Sequence, residues 1–145
     1  MSIGFDRILA AVDFSPDSIG GVRAAAETAR LHSAALLVFH VIEAEPSPAP
    51  AGTVLTLIEK ANGAMATLVE GLRPTVNKLA LTTEVTTGNA GDEIVARACD
   101  WSADLVVLGA KGTATLEDVI LGGIARSVVE RAPCSVLAVR GRAIR

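Results

Sequence analysis

Ile8-Leu9-Ala10-Ala11-Val12 is a run with no polar position. A strand with one wet face alternates apolar and polar residues, whereas a strand covered on both faces of a parallel sheet need not. The run therefore reads as the central first strand of such a sheet. Ser15 stands before Pro16 and Asp17. That order suits a helix N-cap, a proline in the first turn and a carboxylate near the positive end of the helix dipole. The helix so begun is expected from Pro16 to about His32.

The same alternation continues along the chain. Leu36-Leu37-Val38-Phe39-His40-Val41 reads as a second strand. The stretch from Glu43 to Gly52 carries Pro46, Pro48 and Pro50 and reads as a loop. Val54, Leu57, Ile58, Ala61, Met65, Leu68, Val69 and Leu72 recur at three and four residues. They mark a second, amphipathic helix that tolerates Gly63 and is expected to end near Gly71 or Pro74. Thr82 to Thr87 is rich in Thr and Val, and its polarity suggests a sheet edge. Gly88-Asn89 turns the chain, and Asn89 caps a third helix with Asp92 and Glu93 in its first turn and Ile94, Val95, Ala98 and Trp101 on its apolar face. Asp104 precedes a fourth strand, Leu105-Val106-Val107-Leu108. A fourth helix from Gly123 to Arg131 stops before Pro133, Ser135 to Val139 forms a fifth strand, and Arg140, Arg142 and Arg145 make a basic tail over 140–145. Strands alternating with helices specify an α/β fold, a doubly wound five-stranded parallel sheet with helices on both faces and right-handed crossovers. Ligands of such sheets bind beyond the C-terminal ends of the strands.

At 145 residues, half of them hydrophobic, the chain suffices for one sizeable core and is expected to form a single domain, 1–145. Thirteen basic against sixteen acidic side chains, with no Tyr, argue against a nucleic-acid partner. The longest apolar stretch, Ala34 to Ile42, is broken by His40 and falls short of the roughly twenty residues of a membrane span. The N-terminus has no basic region followed by an apolar run and cleavage site, so a cytoplasmic protein is expected. Cys99 and Cys134 lie in segments expected to be buried, lack metal-ligand or CxxC spacing, and read as reduced packing residues.

Gly109 and Gly112 close the fourth strand, and Gly122-Gly123 follow at the mouth of the fourth helix. Strand, glycine turn, loop and helix start is an arrangement by which backbone N–H groups and a helix N-terminus hold a phosphate, although glycine pairs also end ordinary strands. If the first and fourth strands are neighbours where the strand order reverses, Asp13 and Gly109 face one crevice. Asp13 then either accepts hydrogen bonds from a ribose or base, or supports the turn and caps the first helix. Val41 packs on an adenine or on its neighbours. Lys111 neutralises phosphate oxygens or is solvated. His40 reads as a packing residue, because no Ser, Cys or second His partners it at a recognisable spacing.

Taken together, Ile8 to Asp13 with Ser15, Phe39-His40-Val41, Gly88, Asp104 to Gly109, and Ala132 to Leu137 resemble the universal stress proteins of the small single-domain type, from end to end. The nucleotide-binding branch of that family carries glycine, two residues, glycine, nine residues, glycine, then Ser or Thr. Gly109, Gly112 and Gly122 meet the spacing, and Gly123 stands where the hydroxyl belongs. The resemblance implies an adenine nucleotide alpha hydrolase-like fold. It also implies ATP, with adenine and ribose contacts at Ala11, Asp13 and Val41 and phosphate contacts at Gly109, Lys111, Gly112, Gly122, Gly123 and the backbone of Ile124. Mg²⁺ or Mn²⁺ would arrive on the phosphates, with no metal site in the protein.

A hydroxyl hydrogen-bonded to a charged phosphate contributes roughly 1.5 to 3 kcal/mol, about one to two decades of affinity, so Gly123 is expected to weaken ATP binding rather than abolish it. Two readings follow. One is a nucleotide-responsive dimeric signalling module in stress adaptation; the other is a nucleotide-free dimeric interaction protein that acts through protein partners. Homodimerisation is expected through the last strand, whose apolar edge would otherwise pair without control. With no GxxxxGK[ST] loop, GxGxxG fingerprint or nucleophile elbow, at most slow ATP hydrolysis or autophosphorylation is expected.

Overall fold

A computed structural model describes residues 4–43, 52–112 and 120–141. Its elements run β1 (Arg7–Ala11), α1 (Pro16–His32), β2 (Ala35–Ile42), α2 (Thr53–Val76), β3 (Leu81–Thr87), α3 (Ala90–Trp101), β4 (Leu105–Gly109), α4 (Gly123–Arg131) and β5 (Ser135–Val139). All strand pairs are parallel, in the order β3-β2-β1-β4-β5. The chain winds outward through β2 and β3, then returns to the other side of β1 for β4 and β5. The order thus reverses between β1 and β4, as the expected fold requires, and β3 is an edge.

Alternation along β1 divides the core into two layers. Ile8 and Ala10 pack with Val22, Ala25, Met65 and Leu72 of α1 and α2. Leu9 and Ala11 pack with Ile94, Ala98, Ala125 and Val128 of α3 and α4. The N-terminal end of the sheet is fastened by Asp104, whose carboxylate accepts from the amides of Asp6 (2.7 Å) and Arg7 (3.2 Å). On the edge, Arg97 of α3 makes two hydrogen bonds, of 2.7 and 2.6 Å, to Glu84 of β3. This guanidinium holds the Glu84 carboxyl below its ordinary value, against the opposing effect of burial.

Two local expectations are corrected. Helix α2 does not end near Gly71 or Pro74 but continues to Val76 with Pro74 inside it. Leu72 and Val76, each 5% exposed, bury the last turn on the core, and that burial outweighs the amide hydrogen bond lost at proline. Cys99, on α3, is not buried but exposed, while Cys134 is half-buried. Positions 44–51 of the Pro-rich loop expected over 43–52, and positions 142–145 of the basic tail expected over 140–145, lie outside the described residues. Among those described, no helix is long and apolar enough to cross a membrane.

Candidate functional site

The site begins with the turn after β1. Ser15 caps α1, its Oγ accepting from the Ser18 amide at 3.3 Å. Asp13 Oδ1 accepts from the Ser15 amide at 2.9 Å, closing a local turn around Phe14. Phe14 adopts φ 65°, a left-handed conformation uncommon for a bulky residue and found most often where a turn is over-determined by its surroundings. The turn-supporting role of Asp13 is thus present, and the residue lines the adjoining crevice as well.

Across the strand-order reversal, the chain leaving β4 is tied to the same turn. Asp17 reaches over from α1: its Oδ2 accepts from the Lys111 amide at 3.2 Å and its Oδ1 from the Gly141 amide at 2.6 Å. Ala110 donates to Val139 at 2.8 Å. The Gly122 amide then donates to the Ala110 carbonyl at 2.7 Å, folding the second glycine pair back against the first. Gly122 is the N-cap of α4 in an extended conformation and offers no side-chain cap. The first-turn amides of such a helix have no acceptor within the helix and suit an anionic ligand. Nothing lies within 4 Å of a β-carbon built on Gly123, so a side chain is accommodated there.

These elements enclose a crevice of about 940 Å³ at the C-terminal end of the sheet. Ala11, Asp13, Val41, Gly109, Lys111, Gly112, Gly122, Gly123 and Ile124, all nine expected site residues, line it. Asp13 and Gly109 therefore share one crevice. Among the lining residues that were not anticipated as site residues are His40 and Lys60. His40 packs as expected, with its ring 4.9 Å from that of Phe14, but it also borders the crevice and its Nδ1 lies 2.6 Å from the Val12 carbonyl oxygen. Lys60 comes from α2, where the apolar period gives no hint that a cation at this position overhangs the site. Glu117 and Asp118 lie outside the described residues. Among the described residues no group of three His, Cys, Asp or Glu side chains is placed to hold a metal ion. Burial, with Asp104 nearby, pushes the Cys134 thiol up and disfavours the reactive thiolate.

The model of the universal stress protein family matches residues 4–140. The Thermus aquaticus protein named "Universal stress protein in QAH/OAS sulfhydrylase 3'region" is 32% identical over 142 residues, spanning 94% of this chain and 99% of that protein. The solved structure of universal stress protein UspA from Lactobacillus plantarum superposes with a TM-score of 0.80 at 29% identity, covering 96% of this chain and all of that one. The structure of a universal stress protein from Archaeoglobus fulgidus in complex with dAMP has the same fold, with a TM-score of 0.70 at 22% identity over 95% of this chain and 99% of that one. The chain belongs to the universal stress protein family and has the adenine nucleotide alpha hydrolase-like fold.

Proposed function

We propose that this universal stress protein binds ATP in the crevice above β1 and β4 and acts as a nucleotide-responsive dimeric module in cytoplasmic stress adaptation. The observation that carries the reading is the hydrogen bond from Gly122 to Ala110, which folds both glycine pairs of the motif to one mouth beside the Ala11 and Val41 wall. In this reading the base and ribose lie at Ala11, Asp13 and Val41. The phosphates lie on the backbone of Gly109, Gly112, Gly122, Gly123 and Ile124 with Lys111 beside them, and Mg²⁺ or Mn²⁺ enters on the phosphates. The dAMP held by the Archaeoglobus fulgidus structure of the same fold supports an adenine nucleotide.

Turnover is slow in this reading. Rapid phosphoryl transfer needs a positioned water, an orienting group and cations aimed at the γ-phosphoryl, and Lys111 and Lys60 are the lysines among the described lining residues. The dimer forms through β5, an edge strand on which Leu137 is 42% exposed. Gly123, in place of the family hydroxyl, favours the second reading, a nucleotide-free dimer that acts through protein partners. Denaturing the freshly purified protein and chromatographing the supernatant separates the two: released adenine nucleotide near one per chain supports the first. A supernatant free of nucleotide, with no uptake when ATP is added back to folded protein, supports the second.

A further inference from the structure

The end of the sheet divides the crevice into two sides. Val41 packs with the α3 and α4 core, so its strand neighbours His40 and Ile42 face the α1 and α2 side. Phe14 packs on that side too. There α2 contributes Leu57, Lys60, Ala61 and Ala64, spaced three and four apart on one stripe of the helix. The 24 residues of α2 make a helix of about 36 Å, whereas the eight residues of β2 span about 26 Å. Its buried residues, Ala61, Met65, Leu72 and Val76, begin only at Ala61, and none of residues 53–60 is buried. The N-terminal turns therefore overhang the sheet, and Leu57 is left 42% exposed over the crevice.

None of these α2-side residues belongs to the nucleotide assignment. We infer that they form a second ligand compartment, for a small aliphatic carboxylate, beside the nucleotide compartment and fillable independently of it. Phe14, Ile42, Leu57 and Ala64 supply an apolar wall. A polar ligand body would lose its water there without compensation, so the wall selects an aliphatic one. The His40 ring is fixed within this side: a carbonyl can only accept, so Nδ1 carries the hydrogen donated to Val12. Lys60 stands at the exposed rim and enters no ion pair among the described residues, which leaves its ammonium for the carboxylate head. Glu43 lines the same rim and opposes an anion, so the two charges give contrary and testable effects.

Calorimetric titration of sodium octanoate into the full chain tests this. Saturable binding is expected, weakened about tenfold in Lys60→Gln, strengthened in Glu43→Gln, and lost in Ala64→Phe, whose ring fills the apolar side from an exposed helix position. Octanol, without the charge, should bind at least about tenfold more weakly than octanoate. ATP affinity in Ala64→Phe should equal that of the parent, and octanoate binding should survive in Gly112→Val, so failure of the nucleotide reading leaves this result intact and the reverse. No octanoate heat from folded parent at about 5 mM, equal binding of octanol, or indifference to Ala64→Phe overturns the inference.

Discussion

Ser18 occupies the space that a side chain on Gly109 would need: a β-carbon at 109 would stand 2.6 Å from the Ser18 amide nitrogen and 2.9 Å from the Asp17 carbonyl carbon. The first glycine of the motif therefore serves the packing of α1 on the end of β4. Because both neighbours are backbone atoms at a helix N-terminus, neither yields without moving the helix that Ser15 caps.

Gly109→Ala should consequently destabilise the fold by about 1–3 kcal/mol through overpacking. Urea denaturation should show a lower midpoint with an unchanged m-value. A variant as stable as the parent would show that the close approach of α1 does not exist.

Gly123 is the opposite case, since its absent side chain faces open space and lines the crevice. Gly123→Ser should leave stability within about 0.5 kcal/mol and tighten ATP by about one to two decades, the hydroxyl adding a charge-assisted hydrogen bond. Unchanged ATP affinity in a folded Gly123→Ser variant would mean that phosphate does not sit at the start of α4.

What the sequence disclosed and what it hid divide along contact range. The apolar runs, the Ser15 and Asn89 caps and the glycine before α4 are local signals, and they placed every strand and the start of every helix to within a residue or two. The continuation of α2 past Pro74 depends on the burial of Val76 beneath other elements, which a proline rule cannot weigh. Asp17 was legible as a carboxylate at a helix start. Its grip on Lys111 and Gly141 spans 94 and 124 positions and leaves no periodic trace. The nine expected site residues, named from family resemblance and topology together, all line one crevice. Lys60 escaped because its place over the crevice follows from how far α2 overhangs the sheet.

The Glu84–Arg97 pair should make a small, pH-dependent contribution. Its side chains are 37% and 29% exposed, so solvent screening limits it to about 1 kcal/mol or less. Arg97 lowers the folded carboxyl below its ordinary value of 4.5, so the folded state binds fewer protons than the unfolded state as pH falls. The contribution is therefore complete above that ordinary value and lost as pH falls through the lowered folded one. Urea midpoints of the parent and Glu84→Gln should differ steadily between about pH 6 and 8 and converge under acid conditions. A difference that grows on acidification would contradict the pairing.

The proposed dimer should depend on β5. Light scattering of the parent should give twice the 14.9 kDa chain mass, and Leu137→Lys, placing a charge on the exposed strand edge, should shift it toward monomer. A monomeric parent at micromolar concentration would remove β5 pairing from the account.

The central claim is that the two glycine pairs and the Ala11–Val41 wall hold an adenine nucleotide. Titration calorimetry of the full-length protein with ATP, and in parallel GTP, in the presence of Mg²⁺ tests it most directly, with Gly112→Val as the control whose branched side chain blocks the phosphate approach. The account predicts saturable heat with ATP, weaker binding of GTP, and loss of the ATP signal in a folded Gly112→Val protein. No heat from folded parent at millimolar ATP, or equal ATP binding by Gly112→Val, would contradict it.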